Sequence, residues 1–140
     1  MRSGPYNRAM RVRLGVACLV AAGAAGCGGM SPEDVVRQWS DAVNHGLNDD
    51  AATLFAPGAE AVSAEGEVIV LRSQRDAERF NAALPCQGEI IAISRQGTQV
   101  TATFRLDQRG TFACPAPLSV DTAVFTVEDG KIVRWEQLPD

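Results

Sequence analysis

The chain has 140 residues, 13 basic and 17 acidic side chains, and a formal net charge of -4. That length supports one domain around one core, and the acidic balance repels nucleic acid and gives no electrostatic reason to lie on an anionic membrane. There is one histidine, His45, and no Cys-x-x-Cys unit, so neither a metal nor another cofactor is expected.

Arg2, Arg8, Arg11 and Arg13 precede an uncharged run from Leu14 to Gly26, mostly Ala, Gly and Val. This is the positive n-region and apolar h-region of an export signal. Thirteen residues rise about 20 Å as a helix, short of a roughly 30 Å hydrocarbon core, which disfavours a permanent span. As a buried helix the run would cover too little surface to offset its ordering. It ends Ala24-Ala25-Gly26-Cys27, which resembles the lipobox of bacterial lipoproteins. The resemblance implies lipid on Cys27, removal of residues 1–26 together with Cys18, a short tether at 27–31 and one domain over 32–140. It places the domain on the outer side of the cytoplasmic membrane, lipid-anchored, with secretion as the alternative. The lipid would be the only membrane contact, and one acyl chain alone would hold it marginally. The 114 residues left carry 9 basic and 17 acidic side chains, a formal charge of -8.

Ser31-Pro32-Glu33-Asp34 starts a helix: a hydroxyl cap, proline at the first position, and an acid three residues on. Val36, Trp39, Val43 and Leu47 follow at helical spacing, and His45-Gly46 ends the pattern. A shorter helix from Asn48 or Asp49 buries Leu54 and Phe55 before Pro57-Gly58 turns the chain. Glu60–Val62 is a weak strand and Glu67–Leu71 a stronger one. Ser73 with Asp76 caps a third helix, whose stripe of Ala77, Phe80 and Leu84 stops at Pro85. Glu89–Arg95 reads as strand, Gly97 as turn, and Val100, Ala102, Phe104 and Leu106 alternate with polar residues. The loop DQRGTFACPAPLS carries two prolines that cannot sit in a sheet centre.

Asp129-Gly130 marks a two-residue hairpin between a strand reaching Glu128 and one from Lys131 to Leu138. Counting back from the turn pairs Val127 with Ile132, Phe125 with Arg134 and Val124 with Trp135. That register puts Val124, Val133 and Trp135 on one face, and Phe125, Val127 and Ile132 with Arg134 and Glu136 on the other. With both faces partly apolar, one should meet helices and the other curl around a pocket or meet a partner. An exported domain with an even pair, Cys86 and Cys114, suggests a disulfide; unpaired thiols, redox chemistry and metal ligation are the other readings.

The segment VVRQWSDAVNHGLNDDAATLFAPGAEAV, followed later by FTVEDGKIVRWEQL, resembles the opening helices and closing hairpin of the NTF2-like (SnoaL-like) superfamily. The resemblance covers residues 32–138. It implies an α+β, cone-shaped fold with N-terminal helices packed on a curved antiparallel sheet. Function is open, because that fold hosts isomerases, dehydratases, cyclases, epoxide hydrolases and non-catalytic domains. In the ketosteroid-isomerase branch the oxyanion donor and base fall at Trp39 and Ser63; Ser63 cannot serve as a carboxylate base, leaving Glu60 or Glu65. The epoxide-hydrolase pattern would have to draw on Arg105, Asp107 and Arg134. No catalytic residue is assigned. The first expectation is a non-catalytic extracytoplasmic domain that binds a small hydrophobic ligand in the cone pocket. Trp39, Phe55, Phe80, Phe104, Phe125 and Trp135 would line that pocket, with Arg134 or Glu136 as polar handle. The alternatives are a protein-interaction module that forms a homodimer through the sheet face, and a SnoaL-like isomerase, cyclase or hydrolase with a non-standard acid.

Overall fold

The structure, a computed structural model, describes residues 29–140. The predicted leader and the cleavage site before Cys27 lie outside the described residues. Helix α1 (Pro32–Asn44) starts as its sequence dictates, with the Asp34 backbone N–H donating to the Ser31 hydroxyl at 3.1 Å. It buries Val35, Val36, Trp39, Ala42 and Val43. After Gly46 comes α2 (Asn48–Ala52), a turn and a half that buries only Ala51 and Ala52. Helix α3 (Gln74–Ala83) carries a complete capping box: Asp76 N–H donates to Ser73 Oγ, and Ser73 N–H donates back to Asp76 Oδ2.

The strands are β1 (Phe55–Val62), β2 (Val68–Leu71), β3 (Cys86–Gln96), β4 (Gln99–Gln108), β5 (Val120–Glu128) and β6 (Lys131–Gln137), ordered β2-β1-β6-β5-β4-β3 in one sheet. The expected cone with a curved antiparallel sheet does not form. The sheet is open, neither closed nor curled, and it is mixed, because β1 runs parallel to β6. Closure would need β2 and β3 to meet, yet the order holds them at opposite edges, five strand spacings or roughly 24 Å apart. The α+β class and the N-terminal helices stand.

Two local differences arise where a strand ladder is interrupted. Pro57-Gly58, expected as a turn, lies inside β1, so Phe55 already belongs to the sheet. Pro57 has no N–H to give the ladder and Gly58 sits at φ 83°, so pairing with β6 lapses between Phe55 and Glu60. The closing hairpin turns through Asp129 (φ 50°) and Gly130 (φ 74°) as expected. Beyond Val127↔Ile132, however, a bulge at Val133 shifts the register to Thr126↔Arg134, Phe125↔Trp135 and Val124↔Glu136. One extra residue reverses the parity of everything after it. Trp135 therefore joins Phe125 and Val127 under the helices, while Arg134 and Glu136 point to the other face. The apolar outer patch of Val124, Val133 and Trp135 loses its largest member.

The core lies between the helices and one sheet face. Trp39 meets Phe125 at 5.2 Å and Phe104 at 6.5 Å, and Phe80 meets Trp135 at 5.1 Å and Phe55 at 5.9 Å, all edge-on. α1 also grips the start of β3. Asn44 Nδ2 and Ser40 Oγ both donate to Gly88 O, and Gly88 N–H donates to Asn44 Oδ1. Only glycine fits there, since a Cβ would lie 2.9 Å from the Phe104 ring. Cys86 and Cys114 are disulfide-bonded, with their Cα atoms 4.8 Å apart.

Candidate functional site

Where the second half of α1 faces the ends of β4, β5 and β6, the helices leave a half-open cavity of about 210 Å³. Trp39 and Val43 from α1, Leu84 and Pro85 before β3, Phe104 and Leu106 from β4, and Trp135 from β6 make it mainly apolar. The polar exception is at the strand ends. Asp121 opens β5 on the same parity as Ala123, Phe125 and Val127, and Gln137 closes β6 on the same parity as Trp135. Gln137 Nε2 donates to Asp121 Oδ2 at 3.2 Å. Among the described residues Asp121 is the only ionisable side chain on the wall, because Cys86, which also lines it, is in the disulfide.

A buried polar network fixes the helical wall. Trp39 Nε1 donates to Asn81 Oδ1 at 3.0 Å, and Asn81 Nδ2 donates to Asn48 O at 3.2 Å. Arg109, 5% exposed, enters from the β4–β5 connection. Its guanidinium donates to Val43 O, Asn81 O, Leu84 O and Asn48 Oδ1. Burial lowers the Arg109 pKa from the ordinary guanidinium value, yet these acceptors all favour the charged form. The Trp135 indole is different: its Nε1 is buried and has no hydrogen-bond partner.

The residues expected to line a pocket separate into three groups. Trp39, Phe104 and Trp135 are on the cavity wall. Phe55, Phe80 and Phe125 are core side chains behind it. Arg134 and Glu136, expected as the polar handle, lie across the sheet because of the Val133 bulge. There Arg134 bonds Glu136 at 3.1 Å and Glu60 at 2.5 Å, and hydrogen bonding to Glu136, ahead of the opposing effect of burial, raises the guanidinium pKa. Asp107 is exposed at the end of β4. Asp121 and Gln137 escaped the sequence reading, although an acid on the inward parity of an otherwise apolar strand was a usable signal. Among the described residues no cluster of three His, Cys, Asp or Glu side chains could hold a metal ion.

Helices laid over one face of an open mixed sheet, with a small, mainly apolar pocket at the sheet end, define the α+β domain. The chain belongs to the family described as SnoaL-like domain, which matches residues 36–135. No curated protein matches its sequence. Among solved structures, a proposed ketosteroid isomerase from Kribbella flavida superposes with a TM-score of 0.64 at 19% identity, covering 78% of this chain and 78% of that one. A proposed polyketide cyclase from Sinorhizobium meliloti gives 0.62 at 22% identity, covering 77% and 99%. A protein of ketosteroid isomerase-like fold from Catenulispora acidiphila, in complex with trimethylamine, gives 0.57 at 19% identity, covering 77% and 85%. Likeness at these identities is likeness of fold.

Proposed function

We propose that the cavity takes a small, largely apolar molecule and that Asp121 moves a proton on it, chemistry of the isomerase or cyclase kind. The observation that carries this reading is the lone carboxylate, among the described residues, at the polar end of a mainly apolar wall. A carboxylate held by one amide donor keeps lone pairs free to take a proton from a carbon next to a carbonyl and return it to a neighbouring position. Superfamily membership and the names of the Kribbella and Sinorhizobium structures support isomerase- or cyclase-type activity. Binding without chemistry is the second reading, favoured by the scarcity of other free polar groups: Ser40 and Asn44, also on the wall, are engaged by Gly88.

Hydrogen–deuterium exchange beside the carbonyl of a small cyclic ketone in D₂O, followed by NMR, tests the proposal without the natural substrate. The protein should accelerate exchange, and Asp121→Asn should lower that rate by about 100-fold or more while ketone binding persists. Binding with no exchange above buffer would end the proton-transfer reading and leave a carrier.

We also propose export and lipid attachment at Cys27. The leader pattern supports it, as does a disulfide, which belongs in an oxidising compartment. In a native host, intact mass should show loss of residues 1–26 and added lipid, and Cys27→Ser should abolish the lipid mass. An unprocessed N-terminus with reduced Cys86 and Cys114 would overturn it.

A further inference from the structure

We infer that the pocket selects its ligand by size, enclosing an apolar body of one or two rings, and that Trp39 on α1 and Ala123 on β5 set the limit; this deepens the pocket reading above and rests on it. The hollow originates in the sheet. On the inward face Ala102 of β4 lies directly opposite Ala123 of β5, with Phe104↔Asp121 on one side of that pair and Val100↔Phe125 on the other. Two methyl groups between larger rows leave a gap beneath the helices, and a close-packed interior has to fill it. Its two halves are filled differently. Ala123 is on the cavity wall, whereas Ala102 is fully buried and is not. Trp39 makes the difference: its ring is edge-on to Phe125 at 5.2 Å and to Phe104 at 6.5 Å, the rings on either side of Ala102. The indole therefore plugs the half over Ala102 and leaves the half over Ala123 to a ligand.

That plug is fastened. The Trp39 N–H donates to Asn81, which is fully buried, gives its own amide to Asn48 O and takes Arg109 on its backbone oxygen. Swinging the indole aside for a larger ligand would break buried hydrogen bonds, so the cavity keeps its volume. A closed cavity of about 150 Å³ holds one benzene ring, so about 210 Å³ encloses about eight or nine non-hydrogen atoms. One ring fits loosely and two fused small rings fill the space. A third ring would lie beyond the opening, where it stays in water and adds no burial.

The test titrates cyclohexanone, 1-indanone and 9-fluorenone, a series of one, two and three rings in which a single carbonyl keeps polarity constant, and follows binding by NMR. On the wild type 1-indanone should bind about 10-fold or more tightly than cyclohexanone, and 9-fluorenone no more tightly than 1-indanone. Ala123→Val fills part of the hollow without vacating any core. It should weaken 1-indanone by about 10-fold or more and leave cyclohexanone within about 2-fold, a split that general loosening would not produce. Trp39→Leu opens the Ala102 half, and 9-fluorenone should then bind about 10-fold or more tightly than 1-indanone; if that variant unfolds, Ala123→Val still decides the size limit. Affinity that keeps rising to 9-fluorenone on the wild type, or an Ala123→Val that weakens both smaller ketones equally, would overturn the size limit and leave the pocket standing. A folded Trp39→Leu with an unchanged order would remove Trp39 from the selection. If none of the three ketones binds, the pocket reading falls as well.

Discussion

Replacing Arg109 by methionine lowers the free energy of unfolding by about 3–4 kcal/mol, among the largest effects a single side chain can have here. The reason is what the guanidinium satisfies. Val43 O lies in the last turn of α1, Asn81 O in the last turn of α3 and Leu84 O at its C-cap; Val43 O and Asn81 O each also accept one backbone N–H, from Gly46 and Leu84, and Arg109 is their second donor. Neither helix carries a basic residue in its last turn. One cation delivered from the β4–β5 connection thus caps two helix ends and sits against the negative ends of both dipoles. Asn48 Oδ1 takes the remaining arm and ties in the start of α2. Methionine preserves the aliphatic stem and removes every donor, taking the guanidinium from Leu84 O and Asn48 Oδ1 and the second donor from Val43 O and Asn81 O. Arg109→Lys should recover no more than about half of the loss, since a single ammonium cannot reproduce the planar fork. Urea unfolding of the three proteins measures this. Because Asn81 links Arg109 to Trp39, the methionine variant should also alter Trp39 fluorescence in the native baseline. Equal midpoints for wild type and Arg109→Met would dismiss the clamp.

Local signals in the sequence located α1 and α3 well, because their starts are written in neighbouring residues: Ser31 with Asp34, and Ser73 with Asp76. The hairpin turn at Asp129-Gly130 was equally legible. What failed was non-local. The parallel pairing of β1 with β6 depends on where the last strand inserts, which no local pattern states. Val133 looks like any strand residue, yet as a bulge it exchanges the faces of Trp135 and Glu136, and with them the polar handle of the pocket. Arg109 was invisible for the opposite reason. In a loop between Gln108 and Gly110 an arginine reads as solvated, and only packing reveals that three carbonyls and an amide oxygen wait for it. The candidate site was therefore half legible: its aromatic wall followed from the apolar stripes and Asp121 could have been found from its parity in β5, while Gln137 required the register beyond the Val133 bulge.

Breaking the Cys86–Cys114 bond, by reduction or by the double substitution to alanine, should lower stability by about 3.6 kcal/mol in the chain-entropy account of a closed loop near 29 residues long. The bond adds little that β3 and β4 do not already have once paired, since Cys86 lies opposite Gln108 in the ladder. As far as strand pairing goes, its effect belongs to the unfolded chain, where it keeps the β3–β4 segment closed; in the folded state it holds the connection that carries Cys114. Two observables follow. The denaturant slope m should rise on reduction, because an unlinked chain exposes more surface. Loss should also be non-additive with Arg109→Met: Arg109 and Cys114 are five residues apart in one connection, and releasing either frees the segment that carries the other, so a coupling on the order of 1 kcal/mol is expected. The cavity is involved as well, because Cys86 lines it and Leu84-Pro85 leads into that cysteine. Reduced protein at a denaturant concentration where it remains folded should bind the ketone probe more weakly, by a few-fold. An unchanged midpoint and unchanged slope after complete reduction would show that the bond constrains nothing the hairpin does not already hold.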